Sequence, residues 1–150
     1  IGDQTDTVIE AIRAGRSFYG AMCSRQYEPD TPNYTPRITA LCSLDGDPIA
    51  EMSILRRSAW SAACDRHFYR FGELGRGIGY CLTTYSGDGN PLPAFRGEPY
   101  PLPLRGGIGM IAQTLWDVLN SDNRVSLVVK GISVLSGEST VRIINKFSKV

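Results

Sequence analysis

The chain has 150 residues, of which 42% are hydrophobic, 21% charged and 9% aromatic, with 16 Lys and Arg against 15 Asp and Glu. This is an ordinary globular composition, long enough to remove on the order of two thirds of the unfolded surface from water, and it excludes disorder and collagen-like repeats. A formal net charge of +1 supplies no overall field for a polyanion, so nucleic acid is not the expected partner and any anion site must come from a local cluster.

The apolar run Val125 to Val129 stops at Lys130, and nothing approaches the ~20 residues of a membrane span, so no membrane association is expected. Cys23, Cys42, Cys64 and Cys81 include no C-x-x-C pair and are joined by a single histidine, His67, which argues against zinc. Cys42 and Cys81 fall in strand-like runs, where a free cysteine behaves as a small core hydrophobe; reduced thiols and a cytoplasmic location are the expectation. The sequence opens on Ile1 with neither a basic nor an apolar leader behind it, so it reads as one piece of a larger polypeptide or as a chain cut ahead of Ile1.

Thr7 and Glu10 stand at capping-box spacing before Gly15, which predicts a helix from about Thr7 to Ala14. Ser17 opens a second helical pattern through Phe18, Met22 and Cys23, and the three prolines between Pro29 and Pro36 make the following stretch a rigid loop. Ile38 to Leu44 and Ile49 to Leu55 flank Asp45-Gly46 and predict an antiparallel hairpin. Arg66 to Leu74 with Ile78 to Tyr85 predicts a second hairpin, followed by one long Gly/Pro-rich surface loop from Gly87 to Pro103. Ile108, Ile111, Ala112, Leu115, Val118 and Leu119 recur at helical spacing up to Asn120. A third hairpin, Arg124 to Leu135 with Thr140 to Phe147, completes an α+β arrangement with antiparallel strands.

There is no P-loop, no G-x-S-x-G, no H-E-x-x-H and no strand-linked G-x-G-x-x-G, so no generic catalytic signature points to a reaction. His67 reads as a structural or surface residue, and Trp116, Met110 and Leu115 as core or interface positions of the long helix. The informative segments are two polar loops. Glu28 to Arg37 brings a carboxylate, an amide, a phenol, a hydroxyl and a guanidinium onto a proline-stiffened backbone, either as a preorganised site or as a turn whose side chains cap their own backbone. Thr83 to Pro91 is a glycine-rich turn with donors able to cradle a phosphate, and Arg37, Arg96, Arg124 and Lys130 are candidate phosphate partners among which spacing does not choose.

Several blocks then resemble the archaeal-type IMP cyclohydrolase family. They are Gln4-Thr5-Asp6-Thr7, Tyr27 through Ile38, Leu82-Thr83-Thr84-Tyr85, Gly89 through Pro99, Asn123 through Leu127 and the short Asn145-Lys146. They run in order over nearly the whole chain, taken as a single domain, 1–150, forming the C-terminal part of a longer one. The resemblance implies an α+β fold, an αββα sandwich with antiparallel sheets similar to the N-terminal nucleophile hydrolases but without their self-cleavage; Ile1 itself offers no nucleophile. It implies closure of 5-formamidoimidazole-4-carboxamide ribonucleotide to IMP with loss of water, a chemistry that requires no cofactor and no metal, and the ligand spacing suggests none. Under that resemblance Glu28, Tyr34 and Arg37 are the catalytic candidates: Glu28 moves a proton or positions the amide, Tyr34 and Thr35 donate to the developing oxyanion, and Arg37 binds phosphate or the base carbonyl. Asn33, Thr35, Thr84, Tyr85 and Arg124 are the substrate-binding candidates. Family members usually carry a further segment ahead of the matching region, so a separate N-terminal chain or segment is an expected partner, as is a homo-oligomer through the Pro-rich loop and Trp116. The other readings are a noncatalytic purine-nucleotide-binding or assembly subunit, and a relative closing a similar ring in another pathway.

Overall fold

The computed structural model describes residues 3–44 and 46–147; Ile1, and Asp45 of the expected Asp-Gly turn, lie outside them. The chain is mixed α/β and divides into two units, residues 1–75 with 80–101, and residues 76–79 with 102–150.

In the first unit, helix α1 (Asp3–Arg13) begins four residues earlier than its capping-box spacing predicts. The reason is local: the Thr7 hydroxyl donates to the Asp3 carbonyl at 3.1 Å instead of capping an N-terminus, and acidic Asp3 and Asp6 suit the positive end of the helix dipole. Gly15, at φ 69°, ends the helix as expected. Arg16 N–H bonds the Ala11 carbonyl at 2.8 Å and Gly15 N–H the Ile12 carbonyl at 3.0 Å, the paired closure of a Schellman motif. Helix α2 (Phe18–Cys23) is capped by Ser17, whose side chain accepts from Gly20 N–H at 3.1 Å.

Strands β1 (Arg37–Cys42), β2 (Ala50–Arg57) and β3 (Cys64–Phe71) form an antiparallel sheet in the order β1-β2-β3. Arg37 pairs with Leu55 and Leu55 with Arg66, so these three share one face; Thr39, Ser53 and Phe68 share it two residues along. The two helices cover this face. Val8, Ala11, Phe18, Ala21 and Met22 form the core, with Leu41 and Phe68 packed against it and the Phe18 and Phe68 rings edge to face at 6.5 Å. The opposite face carries Arg56, His67 and Tyr69 and lies under the segment 80–101: Arg56 Nη1 donates to the Phe95 carbonyl at 2.9 Å and the Tyr69 hydroxyl to that of Gly97 at 3.2 Å.

The second expected hairpin is corrected. β3 pairs with β2, while β4 (Ile78–Cys81) pairs with a strand from the Pro-rich segment, β5 (Tyr100–Pro103); proline's fixed φ suits an extended strand, and a two-stranded sheet leaves an outer edge where its missing N–H costs nothing. Cys42 is also corrected: it is exposed at the end of β1 instead of buried, while Cys81 is half-buried, and all four cysteines are free. In the second unit, α3 (Ile108–Val118) lies against the antiparallel ribbon of β6 (Ser126–Ile132) and β7 (Ser139–Asn145). Trp116 is buried there but Met110 is exposed. No helix among the described residues is long and apolar enough to cross a membrane.

Candidate functional site

The loop between α2 and β1 closes on itself. Glu28 N–H bonds the Thr35 carbonyl at 2.9 Å and Tyr34 N–H the Asp30 carbonyl at 3.0 Å, with Tyr34 at φ 47°, in the left-handed region that non-glycine residues adopt only when the surroundings impose it. The Asp30 carboxylate accepts from Thr35 N–H at 2.7 Å and also from the Thr35 hydroxyl. The two readings of this loop therefore coexist: Asp30 caps its own turn, and the capped turn fixes the side chains on either side of it.

Those side chains surround a cleft of about 290 Å³ lined by Gln4, Glu28, Asp30, Thr35, Arg37 and Thr84, with Pro36 and Ile38. Arg37 organises it. Its Nη2 donates to Glu28 Oε2 at 3.0 Å and its Nη1 to Gln4 Oε1 at 3.0 Å and to the Asp3 carboxylate. α1, the loop and β1 thus meet on one guanidinium, whose fork suits carboxylate partners. Among the described residues Glu28 Oε1 accepts no hydrogen bond, and the Gln4 amide, with its oxygen turned to Arg37, leaves its NH₂ for the cleft.

The Thr35 hydroxyl is also 2.6 Å from the Tyr85 hydroxyl. Hydrogen bonds from the Thr35 side chain and backbone hold the Asp30 carboxyl below the usual carboxylate range, so it is ionised at neutral pH and only accepts. Thr35 then gives its single hydroxyl hydrogen to Asp30 and accepts from Tyr85. This corrects the expectation that Thr35 donates to an oxyanion.

Of the expected site residues, Glu28, Thr35, Arg37 and Thr84 line the cleft. Tyr85 stands behind Thr35. Asn33 Oδ1 accepts from Leu92 N–H at 3.1 Å and ties the two polar loops together. The Tyr34 ring instead lies 4.1 Å beneath the Arg57 guanidinium and 5.9 Å from the Tyr27 ring, which takes it out of the cleft lining. Arg124 belongs to the second unit, where it donates to the Trp116 carbonyl at 2.6 Å and lies over the Trp116 ring at 4.6 Å. The Thr83 to Pro91 segment folds back on the residues after it, with Ser86 N–H bonded to the Pro93 carbonyl and Phe95 N–H to that of Thr84, so the Ser86 N–H is unavailable to a phosphate. Gln4 and Asp30 were missed. Both sit inside the quoted blocks, and a capping carboxylate and a helix glutamine carry no chemical signal until the fold sets them beside Thr35 and Arg37. Among the described residues no group of three or more His, Cys, Asp or Glu is placed to hold a metal ion.

An antiparallel sheet under two helices thus carries a carboxylate–guanidinium cleft at its edge. The chain matches the IMP cyclohydrolase-like protein family over residues 1–136 and belongs to that family. No curated protein and no solved structure matches it.

Proposed function

We propose that this chain closes 5-formamidoimidazole-4-carboxamide ribonucleotide to IMP with loss of water, in the cleft around Glu28 and Arg37. Family membership supports the cyclohydrolase class, and the single observation that carries the site is the Glu28–Arg37–Gln4 arrangement, one ionised pair with an unpartnered carboxylate oxygen and an oriented amide on the same cleft. The reaction needs little more. Carboxamide nitrogen and formyl carbon are carried on one ring, so the enzyme holds them in contact, stabilises the oxygen anion that forms at the formyl carbon and moves protons for dehydration. Glu28 Oε1 carries one proton from the attacking carboxamide nitrogen to the oxyanion, and then the formamido N–H proton to the resulting hydroxyl, which leaves as water as the ring C=N bond forms. The Gln4 NH₂ and the Thr84 hydroxyl, in place of Tyr34 and Thr35, donate to the oxyanion, and Arg37 holds Glu28 and Gln4 in position. The αββα sandwich belongs to the same reading; the helix-covered antiparallel sheet of the first unit supports one half of it.

The test is IMP formation by the purified chain from the formamido ribonucleotide. Glu28→Gln is expected to lower kcat by about 10²–10⁴-fold, the range of a lost proton-transfer group, with the melting temperature retained. Full activity in a folded Glu28→Ala and Arg37→Ala double variant overturns the assignment of the site. A wild-type chain that binds IMP and forms none overturns the reaction in favour of a noncatalytic nucleotide-binding subunit.

A further inference from the structure

Arg37 lines a second cleft as well. On its other side, a polar hollow of about 350 Å³ is bounded by Arg25, Arg37 and Arg66, with Ser24, Gln26 and Tyr27. Neither Arg25 nor Arg66 stands out in the sequence: Arg25 follows α2 and Arg66 lies within β3. The fold brings them together because Arg66 and Arg37 share one face of the sheet, each in register with Leu55, and because α2 ends beside that face.

A guanidinium has five N–H donors. Arg66 uses two, to the Cys64 carbonyl at 3.3 Å and the Arg25 carbonyl at 2.8 Å, leaving three. Arg25 is held by Thr7 and by the Asp3 carboxylate and carbonyl, leaving one hydrogen on Nη1. Arg37 retains one on Nη2 beyond Glu28, and its buried Nε has no partner among the described residues. Asp3 bridges Arg25 and Arg37 and so holds two guanidiniums side by side. Asp3 and Glu28 together balance two of the three positive charges. The hollow therefore presents a net positive charge and convergent, partly preorganised donors, which is what a tetrahedral dianion with three acceptor oxygens requires.

Resting on the nucleotide reading above, we propose that the Arg25–Arg37–Arg66 hollow binds the phosphomonoester of the substrate, with the reacting ring across Arg37 in the Glu28 cleft. Arg37 then serves both compartments, and the ribose spans the step between them. Specificity for a phosphorylated substrate follows, since a nucleoside leaves these guanidiniums without their counter-charge.

Titration calorimetry of the full chain with ribose 5-phosphate, and with ribose as the unphosphorylated control, tests this without requiring turnover. The expected result is binding of ribose 5-phosphate and not ribose, weakened at least tenfold in Arg66→Ala and in Arg25→Ala and unchanged in Arg13→Ala, which removes an equal charge at the end of α1. Arg25 also ties α1 down, so if Arg25→Ala fails to fold, the exposed Arg66 decides: unaltered affinity in Arg66→Ala overturns the proposal, as does equal binding of ribose. Arginine-dependent binding in a chain that makes no IMP leaves the hollow standing and removes the reaction. IMP formation with unaltered KM in Arg66→Ala does the reverse.

Discussion

Arg37 and Arg124 are the same residue type in two different units, and their surroundings differ in kind. Arg37 is drawn between two carboxylates and an amide from α1 and the α2–β1 loop, whereas Arg124 closes back on the carbonyl and ring of Trp116, eight residues away. The first unit has a sheet covered on both faces and a fully buried centre at Ile54 and Leu55. In the second, α3 covers one face of a two-stranded ribbon, and Val128, Val141 and Ile143 are exposed. A polar cleft requires side chains from distant parts of the sequence to be held to within a fraction of an ångström, and only a scaffold packed from both sides does that.

The largest effect expected from this contrast is on packing. Phe18 is 2% exposed and Val128 60% exposed. Phe18→Ala should cost about 3–5 kcal/mol in denaturant unfolding and loosen α1 and α2 together. Val128→Ala should fall within about 0.5 kcal/mol of wild type. Comparable losses at the two positions would break the distinction between the units.

A smaller effect of opposite sign is expected beneath the helices. Ser53 is fully buried and its hydroxyl, like that of its register partner Thr39, has no hydrogen-bond partner among the described residues. A buried unsatisfied group costs about 1–3 kcal/mol, so Ser53→Ala should stabilise the protein by about 1 kcal/mol, read as a raised denaturation midpoint at constant m-value. A loss of stability would mean that the hydroxyl is satisfied by a group such as a bound water, and that the core beneath the site is wetter than its apolar neighbours imply.

The elements set by local chemistry were legible in the sequence: Ser17 as a helix start, Gly15 as a stop, the β1–β2 and β6–β7 pairs as apolar runs on either side of turn residues. The failures share one cause. Ile78 to Cys81 has the composition of a hairpin partner for β3, but the strand pairs instead with Tyr100 to Pro103, about twenty residues on, where the prolines mask strand character. The site follows the same rule. Glu28, Thr35, Arg37 and Thr84 were visible because they cluster in two polar loops. Gln4, Arg25 and Arg66 were not, because their significance arises from contacts across tens of residues, and Asp30 was not because a carboxylate that caps its own turn looks like any other turn residue. Tyr34 lies outside the cleft lining for a related reason, since its positive φ and the Arg57 guanidinium over its ring are properties of the folded loop.

The smallest expected effect separates the units by pH. His67 is the chain's one histidine, so between about pH 5 and 7 the first unit alone carries a titrating imidazole. Its Nε2 lies 2.9 Å from Arg56 Nη2, and since a guanidinium only donates, that nitrogen must accept, which requires the neutral ring. Burial pushes the imidazole below its ordinary value, with Arg56 and Arg96 adding to the shift and Asp65 opposing it. The sign follows from linkage: a folded pKa below the unfolded one means that, as pH falls through about 6.5, the unfolded chain takes up a proton before the folded one does. Stability is therefore independent of His67 above that pH and declines as pH falls below it, until the folded pKa is reached. His67→Gln keeps an acceptor for Arg56 and removes the titration, so its melting temperature should change less between pH 7.5 and 5.5 than that of the wild type. Equal slopes would place His67 in solvent and leave Arg56 without the partner that fixes it against the 80–101 segment.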